Sequence, residues 1–393
     1  MTPQEQRNLN LPEFRLLLYC ARSRPDARSI KDIVKKGVDW QVVLEYAARH
    51  CVRPMLLKSL KSVCWHAVPG EIKLQLTNFN KLNVRKNLIF TRELLCLLEL
   101  FQSHSIPIAV FKGPILAESV YGDISLREFS DLDVIVPEAD LDQAEHILTS
   151  RGYQADFADK DYRSAFLSYQ GQYAFRNPRT GISIDLHWRL SSKGLALPPQ
   201  LSEIWPRLEQ VTIANRTVPT LGHVDLALFL AAHGTKEGWK SLLWVCDFAE
   251  LLRKHQDIDW LAVFDCAQRS YFSRPLLLAF ILASTLLDAP VPPELVKEAR
   301  INSAVRALAE NARFRMLRTV QEGELREFLN GLNTHSRLSH RLRPFLTLLT
   351  TRTVSDYQTM PLPKSLWGIY YFTRPFRLVI KGLAMMLSAN KLI

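Results

Sequence analysis

The chain has 393 residues, a net charge of +11 and 47% apolar residues. That length suggests two or three domains, and the apolar share sustains a buried core, which excludes a disordered chain. The N-terminus, Met1-Thr2-Pro3-Gln4-Glu5-Gln6-Arg7-Asn8, has no apolar signal core, and the longest apolar run, 276–287, is too short to cross a bilayer, so a soluble cytoplasmic protein is expected.

Residues 1–103 read as a helical region. Leu11-Pro12-Glu13-Phe14 leads into Leu16, Leu17, Leu18 and Cys20. Residues 40–60 carry Val42, Val43, Tyr46, Ala47, Val52, Met55 and Leu56 at helical spacing. A third long helix over 80–102 bears Leu88, Ile89, Leu94, Leu95, Leu98 and Leu100, and Pro69-Gly70 interrupts the pattern before it.

From 104 to 222 the pattern changes to strands alternating with helices. The run 106–111 predicts a strand that stops at Lys112-Gly113. Residues 114–121 follow as a helix with Pro114 in its first turn. A second strand covers 131–136. The next helix, from Asp140 to about 150, has Asp140 as its cap and Gln143 three residues on, and Arg151-Gly152 ends it. Two further strands, 172–176 and 181–188, are joined by the turn Asn177-Pro178-Arg179-Thr180.

Residues 223–330 return to helices, at 226–233, 242–255, 260–269 and 275–287. Pro290, Pro292 and Pro293 separate these from a further helical group over 294–351. The last region, 331–393, carries nine Lys or Arg against the single acid Asp356, a net +8 in 63 residues. It mixes these bases with Trp367, Tyr370, Tyr371, Phe372 and Phe376, a composition suited to packing on the protein body, to an anionic membrane surface or to an acidic partner. No RNA- or DNA-binding motif is present. None of the six cysteines forms a CxxC pair, which points to buried free thiols and away from zinc.

The chemistry concentrates in the second segment. A strand alternates its faces, so Asp131 and Asp133 share one side, and two adjacent carboxylates need a neutralising cation or water. On the later strand Ile182, Ile184, Leu186 and Trp188 share one face while Ser183, Asp185, His187 and Arg189 share the other. An aspartate in an otherwise apolar strand is costly to bury without a partner. Three carboxylates with substrate phosphates and water suit Mg²⁺, which takes few protein ligands.

The ordered set Phe111-Lys112-Gly113, Arg127, Ser130-Asp131-Leu132-Asp133-Val134-Ile135-Val136 and Ile184-Asp185-Leu186-His187-Trp188 resembles a nucleotidyltransferase family of the polymerase-beta superfamily. His233-Gly234-Thr235-Lys236-Glu237-Gly238-Trp239, with Leu243-Trp244 and Asp247, resembles that family's downstream helical motif. The resemblance spans roughly 80–260. It implies an α+β fold: a small mixed β-sheet nucleotidyltransferase core flanked by N-terminal and C-terminal helical regions.

It further implies an Mg²⁺-dependent enzyme that moves a nucleoside monophosphate from an NTP, such as ATP, to an acceptor hydroxyl on a small molecule, a sugar intermediate or a protein. Asp131 and Asp133 would hold Mg²⁺ on the triphosphate. Asp185 would hold a second Mg²⁺, or orient and deprotonate the acceptor. Lys112, Gly113, Arg127, Ser130, His187 and Lys236 are the implied nucleotide-binding set. The superfamily usually has Gly-Ser or Gly-Gly where this chain has Gly113-Pro114, which removes a hydroxyl and one N–H donor from the phosphate turn. Two alternatives stand beside this reading: a nucleotide-binding scaffold or sensor, and a metal-dependent glycosyltransferase using Asp131-Leu132-Asp133.

Overall fold

The computed structural model describes residues 11–155, 163, 167, 170–190, 203–317, 356, 359–362, 364–377 and 380. Four helices open the chain: α1 (Pro12–Cys20), α2 (Ala27–Lys36), α3 (Trp40–Arg49) and α4 (Arg53–Val63). Two of them start on aspartate caps. Asp26 accepts the Ser29 N–H at 3.0 Å, and Asp39 accepts those of Gln41 and Val42 at 3.0 and 3.2 Å, satisfying donors that the first turn leaves open. The single helix expected over 40–60 is two helices. Cys51 takes a left-handed φ of 55°, and Pro54 is tolerated because it falls in the first turn of α4.

Helix α5 (Gly70–Ser103) is the longest among the described residues, at 34 residues, and it starts ten residues earlier than the apolar spacing predicts. Its length of about 50 Å carries the chain along the sheet. Strand β1 is only Ala109–Val110. After it, α6 (Gly113–Leu116) continues into a wide π turn over Ala117–Tyr121 that Gly122 ends in the left-handed conformation. The remaining core elements are β2 (Asp131–Ile135), α7 (Leu141–Ser150), β3 (Gln154–Ala155), β4 (Gln172–Arg176) and β5 (Ser183–His187). Helix α7 begins after Asp140, but the Asp140 side chain makes no capping bond.

The five strands form one sheet in the order β1-β2-β5-β4-β3. Only β2 and β5 run parallel; the other pairs are antiparallel. A separate hairpin, β6 (Glu209–Ile213) and β7 (Arg216–Thr220), turns through Ala214 and Asn215 with φ of 48° and 62°. The sequence reading did not anticipate it, because the tight hairpin turn normally announces itself with Asn-Gly or Asp-Gly.

Helices α8 (His223–Lys236), α9 (Leu242–Lys254), α10 (Trp260–Arg269), α11 (Ser273–Leu287), α12 (Pro293–Ile301) and α13 (Ser303–Leu317) follow. Helical residues predicted beyond 317, and most of the basic region to 393, lie outside the described residues. Among the described residues no helix is long and apolar enough to cross a membrane.

Two large buried clusters hold the protein together. In the first, Leu132, Val134, Ile184 and Leu186 on one sheet face pack against Phe90, Leu94, Leu97 and Phe101 of α5 and Ala144, Ile147 and Leu148 of α7. The second is shared by the N-terminal helices and α8 to α13, so the two helical stretches flanking the sheet in sequence bury one continuous core. His50 joins them in detail: its Nδ1 accepts the Leu242 N–H at 3.2 Å and its Nε2 lies 3.0 Å from the Met316 carbonyl oxygen. Phe111 and Ile135, on the other side of the sheet, belong to this second core. The sheet therefore has one face on α5 and α7 and the other toward α8.

Candidate active site

The α8-facing side of the sheet carries the polar residues. Alternation along β2 sends Leu132 and Val134 into the first core and Asp131 and Asp133 to the opposite face. Alternation along β5 does the same with Ile184 and Leu186 against Asp185 and His187. Register then decides what meets. In the parallel pair Asp133 lies opposite Asp185, Asp131 opposite Ser183 and Ile135 opposite His187. A slip of one residue would send Asp185 to the other face.

Asp133 is the centre of this arrangement and is nearly inaccessible. Its Oδ1 lies 3.4 Å from Lys112 Nζ and 3.2 Å from His187 Nε2. Burial raises its pKa, but the Lys112 charge and the His187 hydrogen bond overcome that and hold the carboxyl well below the usual range. Asp131 goes the other way: burial and the neighbouring Asp133 charge push its pKa up, with Lys112 opposing. Asp185 accepts a hydrogen bond from Gln172 Nε2 at 2.9 Å, reached across the β4–β5 pair. Burial lowers the His187 pKa, with the Asp133 hydrogen bond and charge opposing.

One ligand atom each from Asp133, Asp185 and His187 all lie within 4.8 Å of one another, close enough to converge on one metal ion. The donor chemistry fits a divalent cation. Carboxylate oxygens and an imidazole nitrogen are donors that divalent cations take. Asp131 shares this face but is outside that tight group, so the set differs from the three carboxylates expected from sequence by having His187 in it.

Aromatic rings form the floor beside these groups. The Phe111 ring meets His187 edge-on at 4.9 Å and Phe229 of α8 at 4.9 Å. Lys112 Nζ lies over the Phe229 ring at 5.1 Å. His233 of α8 stacks on Phe229 at 5.9 Å and meets Trp244 edge-on at 5.3 Å. Burial, then the Lys112 charge, lowers the His233 pKa well below its ordinary value. Helix α8 continues through Gly234, past the end at 233 expected from the sequence. An added Cβ at Gly234 would stand 2.6 Å from the Trp239 ring, so this glycine makes room for a buried indole rather than ending the helix.

The other predicted site residues are dispersed. Gly113 holds the turn after β1 at φ +58°, and an added Cβ would lie 3.3 Å from the Asp131 carbonyl oxygen, so a side chain is excluded on two grounds. Ser130 is exposed just before β2, and Lys236 is exposed at the end of α8. Arg127, expected at the triphosphate, is engaged by a carboxylate of the helical region. Its Nε and a terminal nitrogen both donate to Asp247 of α9 at 2.9 Å, and Tyr121 donates to the same carboxylate at 2.7 Å. The pair is buried. Asn87 of α5 braces the same loop, donating to the carbonyls of Ile124 and Arg127 at 2.7 and 2.9 Å.

Sequence reasoning did not single out Gln172, whose only signal is its position opposite His187 on the neighbouring strand. Lys86 was missed as well. It lies half-buried on α5, where burial lowers its pKa while Glu128 and, more weakly, Asp131 raise it.

No curated protein matches the chain. Among solved structures it is similar to the antibiotic-resistance factor ANT(2'')-Ia, at 11% identity and a TM-score of 0.29, over 58% of this chain and 95% of that one. The model of a family described as uncharacterised nucleotidyltransferase matches residues 36–288, which include the whole sheet, the Asp133–Asp185–His187 group and helices α8 to α11, and the chain belongs to that nucleotidyltransferase family.

Proposed function

We propose that this nucleotidyltransferase moves a nucleoside monophosphate from an NTP to an acceptor hydroxyl in a reaction that depends on a divalent cation. The observation that carries the reading is the parallel register of Asp133 with Asp185, which sets two carboxylates from separate strands beside His187. Asp133, Asp185 and His187 would hold the cation, with Asp131 available on the same face for a second. A bound divalent cation polarises the phosphoryl oxygens and neutralises charge on the leaving group.

The chain's own residues supply the rest. Lys112 lies 3.4 Å from Asp133, so an arriving cation would compete with its ammonium for that carboxylate and free it for the triphosphate. Asp185, oriented by Gln172, accepts the proton of the acceptor hydroxyl. The acceptor oxygen bonds to the α-phosphorus, the α–β phosphoanhydride bond breaks, and pyrophosphate leaves. Membership in a nucleotidyltransferase family supports this over a sugar-nucleotide transferase.

The test is incubation of the wild-type chain, Asp133→Asn and Asp185→Asn with each labelled NTP, Mg²⁺ or Mn²⁺, and a cell extract as source of acceptor. Transfer of label is expected for the wild type and a loss of at least about a hundredfold for either variant. Equal labelling by the variants would overturn the assignment. Calorimetric NTP binding with no transfer would favour a nucleotide-binding scaffold.

A further inference from the structure

The C-terminal segment contains an amphipathic helix whose apolar side faces outward. A 3₁₀ stretch over Lys364–Ile369 leads into helical residues 370–377, and 380 is helical as well. Its inner side is fixed. Trp367 and Tyr370 are buried against Met360 and Leu362. The Trp367 Nε1 donates to the Leu362 carbonyl at 2.9 Å, and the Tyr370 hydroxyl donates to the Met360 carbonyl at 2.6 Å. Arg374, on the same side, is buried and pairs with Asp356, as does Arg377.

The outer side is the opposite of what a solvated helix shows. Leu366, Ile369, Phe372, Phe376 and Ile380 follow one another at steps of three and four residues, which places them on one stripe. They are exposed by 46%, 41%, 77%, 73% and 66%. Tyr371 beside them is also exposed. Rotating this stripe inward would break the hydrogen bonds of Trp367 and Tyr370 and the Arg374–Asp356 pair, so the outward apolar face is built into the packing. Isolated exposed apolar residues are ordinary; a contiguous stripe with two phenylalanines is not.

The charge of the segment indicates what covers it. Residues 331–393 hold nine bases and one acid, and that acid, Asp356, is already matched by Arg374 and Arg377. An apolar stripe in a segment whose sequence carries a net charge of +8 suits the interface of an anionic bilayer, where rings enter the acyl boundary and bases meet the headgroups. We propose that this helix docks the protein peripherally on an anionic phospholipid surface through Phe372 and Phe376.

The full chain should co-sediment with vesicles of phosphatidylcholine doped with phosphatidylglycerol, far less with phosphatidylcholine alone, and less as salt rises. The Phe372→Ser/Phe376→Ser variant should bind the anionic vesicles at least about tenfold more weakly, since it removes the two largest groups from the interface. Both side chains are exposed, so its thermal midpoint should match the wild type. Leu82→Ser, which removes an exposed leucine from α5, should bind as the wild type does. The proposal is overturned if the wild type ignores anionic vesicles or if the double variant binds as well as the wild type. It is equally overturned if ultracentrifugation shows the double variant dissociating a dimer, because the stripe then belongs to a second copy of the chain.

Discussion

Asp247 offers the sharpest separation of structural from catalytic roles. It is fully buried, and it accepts three hydrogen bonds, two from Arg127 and one from Tyr121. Asp247→Ala would leave a buried guanidinium without its counter-charge, which costs roughly 3–5 kcal/mol. The stranded Tyr121 hydroxyl adds about 1 kcal/mol. Against a typical stability of about 5–15 kcal/mol, that single change brings the chain close to unfolding at ambient temperature. Replacing both charges, in Arg127→Met/Asp247→Leu, removes the uncompensated ion, and most of the stability should return, to within about 2 kcal/mol of the wild type.

Urea unfolding followed by tryptophan fluorescence would give the stabilities of the wild type, Asp247→Ala and the double variant, with calorimetry of NTP binding on each folded protein. If Arg127 is a strut, the double variant folds and binds NTP as the wild type does. The reasoning is refuted if Asp247→Ala costs less than about 1 kcal/mol, or if a stably folded double variant has lost nucleotide affinity. The second result would return Arg127 to the triphosphate.

His50 should make stability fall in mild acid. Its pKa in the folded chain is lowered to about 4 by burial and by Arg49, against 6.5 when unfolded. The unfolded state therefore binds the extra proton first, so the contribution is complete above pH 6.5 and is lost as pH falls from 6.5 toward 4, by about 3 kcal/mol in all. His50→Gln should show a shallower decline of thermal midpoint across that window; an equal decline in both proteins would assign the effect elsewhere. Gly113→Ala forces a side chain into a left-handed turn beside the Asp131 carbonyl and should cost about 1–2 kcal/mol in chemical unfolding; a neutral result would mean that the turn is not held at positive φ. Imidazole favours later first-row ions over Mg²⁺, so His187→Gln should lower Mn²⁺ affinity by about tenfold or more while changing Mg²⁺ affinity less, as read by Mn²⁺ electron paramagnetic resonance and competition. Unchanged Mn²⁺ binding would remove His187 from the ligand set.

Much of the site was legible because strand alternation is a local property. The sequence placed Asp131 with Asp133, and Asp185 with His187, before any pairing was known, and the strands show those faces. Helix ends were less legible. The break at Cys51 depends on a left-handed residue that is not glycine, and the continuation of α8 through Gly234 depends on Trp239 needing the space. The buried partner of Arg127 was not legible for a related reason: Asp247 lies 120 residues further on in the chain.

The small mixed sheet was what the family resemblance implied; periodicity and composition by themselves determined that strands lie between helical regions, that two of those strands carry aspartates, and that the C-terminus is basic and aromatic. These are properties of neighbours in the chain, governed by the two-residue and 3.6-residue repeats of backbone geometry. Only the tertiary structure decided that Asp133 stands opposite Asp185, that Lys112 and His187 share its one oxygen, and that the N-terminal and C-terminal helices bury a common core. It also decided that the inner face of the last helix is locked and its phenylalanines are left outside. Such facts depend on which distant segments exclude water together, and chain spacing does not encode that.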